Sequence, residues 1–380
     1  MKMKVIPRPS AGRNAETLTT FVHVRLVGDT YPSVYLRIDS GLVQPLLETT
    51  QSTGVSTTDV SDVNVCETPI TSRVNEPVFF FIYNTDNYFH FLYDAIPTLV
   101  QYLRLPEPRP KLLMNPRHWY PYILDSLQLF GITMNEVVIA NQTTEYATVI
   151  VASSPTHEGY SNEPPHSSIW DVYRRMAKNA GVSQKSLPRK IYISRRSWIH
   201  GDTSNLGTNY TTRRKMMCEN ELVTALESRG YTEVFCETMN MEGKIQLFAQ
   251  ATHVVGAIGG GMCNLVFSRP ECLVTCIASP EFERINHRFL YTMNHTQLTM
   301  FRETWSTSVL YRRAKVGSEI GEIISETEDR YTLSLGNGTT WNQTDPQRTI
   351  NVLKADCLFL DEGLNSPWSF HVSECMKLIE

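Results

Sequence analysis

Three consecutive glycines, Gly259, Gly260 and Gly261, follow the apolar run HVVGAI and precede MCNLVF. Glycine takes positive φ freely and lets backbone N–H groups approach a ligand closely. A helix starting at such a turn adds the positive end of its dipole, which suits a pyrophosphate. A tight turn packing helix on strand would use the same residues. The run lacks the GxGxxG spacing of a dinucleotide fold. Upstream, Arg195 and Arg196 end the segment KIYISRR, and Arg213 and Arg214 follow the polar stretch 197–212. Guanidinium forks suit phosphate oxygens, and a solvated basic surface is the competing reading. In NYFHFLYD, His90 and Asp94 are four residues apart, so a helix brings them to one face. A carboxylate beside an imidazole orients it and raises its basicity, as a general base requires. A structural brace within the helix is the competing reading.

These residues need a scaffold, and the hydrophobic pattern supplies an α/β one. The apolar run VFFFIYN reads as a strand, and NYFHFLYDAIPTLVQYL as a helix that Pro97 should kink. Residues 49–64 show no period and read as a loop. Further strands are expected over 111–115, 137–140 and 147–152, with a helix over 120–130 between them. A polar stretch with prolines at 153–168 precedes a helix over 169–180. From Arg189 the alternation is regular. The strands RKIYISR, TEVFCE, HVVGAIG, ECLVTCIAS and QLTMF are separated by helical segments, which predicts right-handed crossovers and a parallel, Rossmann-like sheet. Residues 303–380 are polar, with strand-like patches and a helical end. The expected division is an N-terminal α/β unit over 1–168, a Rossmann-like unit over 169–302, and a β-rich tail over 303–380 that packs on both.

Composition bounds the partners. The 380 residues are 41% hydrophobic and 19% charged with net charge −4, as in a folded protein with no global attraction to nucleic acid. No apolar run approaches the roughly 18 residues of a membrane span, and no secretory leader is expected behind MKMKVIPRPS. The eight cysteines show no zinc-ligand spacing and read as reduced thiols, so the expected compartment is the cytoplasm. No metal site is expected.

Taken in order, NYFHFLYD, then YISRR with RRKMMCENEL, then VVGAIGGGMCNLVF resemble glycosyltransferase family 61. That family includes plant xylan xylosyl- and arabinosyltransferases and animal O-linked N-acetylglucosaminyltransferases. The resemblance spans about residues 78 to 301. It rests on Asn87, Phe89, His90 and Asp94, on Arg195, Arg213, Asn220 and Glu221, and on Gly256, Gly259, Gly261 and Asn264. Two positions depart: Ile258 stands where the family has histidine, and Gly260 where it prefers alanine.

The resemblance implies a GT-B architecture, two Rossmann-like domains facing across a cleft, and transfer with inversion at the anomeric carbon. It implies a nucleotide-sugar donor, a UDP-sugar of a pentose such as xylose or of an N-acetylhexosamine, and a glycan or glycoprotein hydroxyl as acceptor. Arg195, Arg213, Glu221, Gly259, Gly260, Gly261 and Asn264 would hold the donor, and His90 or Asp94 would be the base. No cofactor beyond the donor is implied, because positive side chains and a helix terminus commonly serve the leaving diphosphate in such enzymes. The loss of histidine at Ile258 favours one alternative, a carbohydrate-binding member without activity. A nicotinamide-dependent oxidoreductase would need its glycines at the first strand of the sheet, and here they follow the third.

Overall fold

The computed structural model describes residues 18–27, 35–37, 43–45, 69–83, 85, 87–115, 119–156, 164–181, 183, 185–196, 216, 218–279, 287–293, 297–302, 309–310, 313–317, 319–335, 348–359 and 368–379. The reading of 49–64 as a loop lies outside them.

The first sheet contains β1 (Leu18–Val27), β2 (Tyr35–Arg37), β3 (Val43–Pro45), β4 (Ser72–Val74), β5 (Val78–Phe80), β6 (Lys111–Met114), β7 (Val137–Ile139) and β8 (Thr144–Ala152). Its order is β3-β2-β1-β8-β5-β6-β7, with β4 also on β8. Strands β8, β5, β6 and β7 run parallel, and β1 joins antiparallel. The run Val78–Tyr83 is buried throughout because β5 is covered on both faces. Phe79 and Phe81 enter one core, while Val78, Phe80 and Ile82 enter another, as the two-residue period of a strand requires.

After β5 the chain winds through α1 (Tyr88–His90), a π-helical turn (Phe91–Ala95), a 3₁₀ turn (Ile96–Thr98) and α2 (Leu99–Tyr102). The single kinked helix expected from the pattern is thus four short windings. Pro97 has no N–H for the carbonyl four residues back, and its ring crowds that carbonyl, so the helix widens before it. The Tyr173 hydroxyl donates to Leu92 O at 2.9 Å and bonds one carbonyl of the wide turn.

Helix α3 (Pro121–Gln128) links β6 to β7, and α4 (Ile169–Ala180) leads into the second sheet. Helix α4 buries Ile169, Val172, Tyr173, Met176 and Ala180, one stripe of an amphipathic helix. The second sheet is β9 (Lys190–Ile193), β10 (Thr232–Val234), β11 (His253–Ala257), β12 (Leu273–Ile277) and β13 (Gln297–Phe301). All five strands are parallel in the order β10-β9-β11-β12-β13. The connections are α5 (Glu219–Glu227), α6 (Met241–Gln250), a 3₁₀ helix (Gly260–Phe267) and α7 (His287–Thr292). Winding reverses between β9 and β11, so their carboxyl ends border the crevice where open α/β sheets bind ligands.

The two sheets share one helical layer. A single apolar core runs from Phe79 and Leu112 through α3, α4 and α6 to Ile191, Val254 and Val274. On the far side of the second sheet, Tyr192, Val255 and Ile277 pack with Leu222 and Leu226 of α5. The tail closes that side. It forms β14 (Val309–Leu310), β15 (Arg313–Val316), β16 (Glu319–Glu326), β17 (Arg330–Leu335), β18 (Arg348–Leu353), β19 (Leu358–Phe359), β20 (Trp368–Ser369) and α8 (Val372–Met376). Strands β15 to β19 make an antiparallel sheet. Trp368, Phe370 and α8 return to the second sheet, where Arg229 holds the carbonyls of Met376 and Ile379 at 2.6 Å. Among the described residues, no helix is long and apolar enough to cross a membrane.

Candidate active site

The glycine turn lies at the carboxyl end of β11, and Arg195 follows the carboxyl end of its neighbour β9. A Cβ on Gly259 would lie 2.7 Å from Arg195 Nη1, so glycine is what allows the guanidinium to rest on the turn. Gly261 and Gly256 serve packing. A Cβ on Gly261 would meet Ile193 Cγ2 at 2.7 Å, and one on Gly256 would meet Met262 Sδ at 2.6 Å. Gly260 is under no such constraint, since its nearest neighbour would be Tyr88 Cδ1 at 3.7 Å. The expected positive φ is absent: the described glycines with positive φ are Gly131, Gly181, Gly230 and Gly317. These turn glycines are chosen for close approach, and the helix that follows them is 3₁₀.

Arg195 is fixed from behind by Glu219, the first residue of α5. Oε1 of Glu219 accepts from Arg195 N at 2.7 Å, from the Tyr192 hydroxyl at 2.7 Å and from Ser194 Oγ at 3.2 Å. Glu219 is 1% exposed, and burial pushes its carboxyl above the usual range against those hydrogen bonds. Burial likewise lowers the Arg195 guanidinium from its ordinary value, with Glu219, Tyr192 and Glu237 opposing. Glu221, expected at the donor, is exposed on α5. The acidic side chain brought to Arg195 is Glu219. Arg196 is committed elsewhere, with Nε and Nη2 donating to the two carboxylate oxygens of Glu233 at 2.6 and 2.7 Å. Arg213 lies outside the described residues.

Asn264 joins the glycine turn to the first unit. Its Nδ2 donates to Gly261 O at 2.9 Å, and its Oδ1 accepts from the Tyr88 hydroxyl at 2.5 Å. Tyr88 also carries the ammonium of Lys244 over its ring at 4.5 Å. Lys244 is 4% exposed, and burial lowers its ammonium from the ordinary value.

Two residues past Tyr88, Asn87 having capped α1 by accepting from Phe89 N at 3.0 Å and His90 N at 3.4 Å, the chain reaches the second cluster. His90 Nδ1 lies 2.6 Å from Asp94 Oδ2. Asp94 Oδ1 accepts from Arg288 Nη1 at 2.9 Å and from Thr156 Oγ1 at 3.4 Å. A carboxylate paired with a guanidinium can only accept, so Nδ1 of His90 carries a proton, and in the neutral ring the lone pair is on Nε2. Asp94 is 4% exposed and engaged at both oxygens, while the His90 side chain keeps 18% exposure. The pair therefore divides its labour: Asp94 orients, and His90 offers a base. The π-helical turn at Phe91–Ala95 starts directly after His90 and carries Asp94, a distortion enriched at functional sites.

Sequence reasoning missed Arg288, Thr156, Glu219 and Tyr88. Tyr88 and Glu219 sit beside the motifs; Arg288 and Thr156 carry no local signal. Ile258 is buried in the shared core with its N–H on Ile277 O at 3.0 Å, so this position offers no imidazole.

Residues 88–275 match the family model Glycosyltransferase 61. The chain belongs to glycosyltransferase family 61. Family 61 membership points to sugar transfer, and the matched span holds Tyr88, His90, Asp94, Arg195, Glu219 and the whole glycine turn. Arg288 lies beyond it. Alanine at position 260 would fit against Tyr88 without displacement. No curated protein matches the chain significantly.

Proposed function

We propose that this family 61 chain is an inverting glycosyltransferase of GT-B type, moving a sugar from a UDP-sugar to a glycan or glycoprotein hydroxyl. The pentose and N-acetylhexosamine donors of the family are the first candidates. His90 Nε2 takes the proton of the acceptor hydroxyl, and the acceptor oxygen attacks the anomeric carbon from the face opposite the diphosphate. The glycosidic bond forms as the bond to the β-phosphate oxygen breaks, and UDP departs. Arg195 and the backbone N–H groups of the turn at Gly259, Gly260 and Gly261 stabilise the charge that develops on the diphosphate. Asn264 keeps the turn in register with α1, and Arg213 extends the cationic set. No cofactor besides the donor is needed in this scheme.

The observation that carries the reading is the 2.6 Å contact of His90 Nδ1 with an Asp94 whose other oxygen is held by Arg288. A brace alone would not need to leave His90 partly exposed with Nε2 as the basic nitrogen. The buried Ile258 favours a second reading, a carbohydrate-binding member without turnover. A thermal-shift screen of UDP- and GDP-sugars, followed by measurement of UDP release with the stabilising donor, separates the two. Stabilisation with no UDP released in the presence of any xylo- or chito-oligosaccharide would leave only the binding reading.

A further inference from the structure

Helix α1 is a single short winding of Tyr88, Phe89 and His90, and a different element holds each of its side chains. The Tyr88 hydroxyl donates to Asn264 Oδ1 at 2.5 Å, and Asn264 Nδ2 donates in turn to Gly261 O at 2.9 Å. Phe89 stacks on Phe289 of α7 at 3.9 Å, beside the Arg288 that holds Asp94. His90 lies against Asp94 itself. The glycine turn and the proposed base are thus tied to opposite ends of one winding, and the Tyr88 hydroxyl makes the tie at the turn.

The surroundings leave that hydroxyl little freedom. The Tyr88 ring meets Tyr122 edge-on at 5.1 Å and carries the Lys244 ammonium at 4.5 Å. A Cβ on Gly260 would lie 3.7 Å from Tyr88 Cδ1, so the ring rests directly beside the turn. Burial raises the Tyr88 phenol well above its ordinary value, which keeps the hydroxyl a donor at neutral pH. Asn264 is fully buried, and losing either of its bonds would leave a buried polar group unsatisfied. Gly260 and Gly261 keep part of their surface exposed, so a ligand can touch the turn where Tyr88 and Asn264 hold it.

We propose that Tyr88 is a positioning residue that couples occupancy of the glycine turn to the placement of His90. The inference rests on the glycosyltransferase reading above. A base works only within hydrogen-bond reach of the proton it removes, and a misplacement of about 1 Å can cost about 10²-fold in rate. Coupling between sites is carried by contiguous packed and hydrogen-bonded groups. Here the path runs from Gly261 through Asn264 and Tyr88 to His90. A tyrosine that served packing alone would need its ring and not its hydroxyl.

Histidine labelled with 13C at Cε1 in the full chain gives an NMR signal for each of the ten imidazoles, and His90→Gln identifies that of His90. Saturating UDP, with saturation checked by calorimetry for each protein, should shift the His90 signal of the wild type. In Tyr88→Phe, which keeps the ring and loses only the hydroxyl, the shift should be at least threefold smaller. Tyr122→Phe is the control. It removes a neighbouring hydroxyl that bonds Thr85 O at 2.6 Å rather than the turn, and it should keep the wild-type shift. A shift as large in Tyr88→Phe as in the wild type comes from the ligand itself and overturns the proposal, as does equal loss in both variants. UDP that binds the wild type without moving the His90 signal also overturns it and leaves the transferase reading standing. UDP that does not bind the wild type strikes that reading, and the proposal falls with it.

Discussion

The Arg195 guanidinium occupies the space a side chain on Gly259 would fill, with Nη1 2.7 Å from the Cβ position. The relationship ties two separate motifs to one point, the carboxyl edge between β9 and β11, where the strand order reverses. Arg195→Ala should weaken UDP binding by about 1.5–3 kcal/mol, the scale of a charge-assisted hydrogen bond. Gly259→Ala should approach that loss by displacing the guanidinium, whereas Gly260→Ala, which meets only ordinary contact, should cost much less. Isothermal titration with UDP on the three variants checks the order. Wild-type affinity in Arg195→Ala would remove Arg195 from the donor site.

Lys244 makes a pH-dependent contribution to stability. Burial lowers its folded-state pKa below the unfolded value of about 10.4, while the Tyr88 ring at 4.5 Å partly compensates the buried charge. Below the folded pKa both states are charged, and the folded state bears the full desolvation cost. Between the folded pKa and about 10.4 the unfolded chain binds more protons, so stability rises with pH through that window. Lys244→Met should therefore raise Tm relative to wild type near neutrality, by a margin that shrinks as pH climbs through the window. Differential scanning calorimetry across the window measures it, and a margin that widens with pH contradicts the burial argument.

Much of this architecture was legible in the chain. The strands and helices from Lys190 to Phe301 follow the alternation of apolar runs, and α4 spans the same residues as its periodic stripe. Legibility failed where local pattern and tertiary need diverge. The segment from Tyr88 to Tyr102 has one helical period, yet it changes winding three times around Pro97 and the carbonyls held by its neighbours. Within the site, His90 and Asp94 were visible because their spacing is local. Arg288 was not, because it reaches Asp94 across 194 positions from a helix without a motif. Glu221 and Glu219 are both acidic residues of α5's first turn, and only the fold shows that Glu219 is the buried one. The glycine run was visible, but its reason was not, since close approach and positive φ select the same residue.

Chelation should leave turnover intact. In the proposed scheme Arg195 and the turn's N–H groups stabilise the departing diphosphate, and among the described residues no three His, Cys, Asp or Glu side chains gather as a metal site. UDP release should be the same in EDTA as in added manganese or magnesium. Complete loss of release in EDTA, restored by manganese, would show that a metal carries the charge instead.

The base assignment follows from the geometry of Asp94. Its Oδ1 accepts from Arg288 and Thr156, its Oδ2 pairs with His90, and it is nearly sealed from solvent, so both oxygens are committed to protein groups and an acceptor hydroxyl has little access to them. Of the two, His90 is the one whose side chain keeps exposure, 18% against 5% for Asp94. Proton removal by a positioned base is typically worth about 10²–10⁴ in rate, so His90→Ala should lower kcat by that factor while UDP affinity stays within twofold. Asp94→Asn keeps the size but can present an N–H to His90 and invert the tautomer. It should therefore lower kcat by about tenfold or more, and it also loses the charge that Arg288 pairs with. Arg288→Lys should restore part of what Arg288→Ala loses, since a cation near Asp94 keeps the carboxylate an acceptor. A purely structural pair makes the opposite forecast: a lowered Tm for all of these variants with near-normal kcat per folded molecule. Measuring Tm and kcat on the same preparations decides between them, and a destabilised His90→Ala enzyme that still turns over at the wild-type rate would end the catalytic assignment.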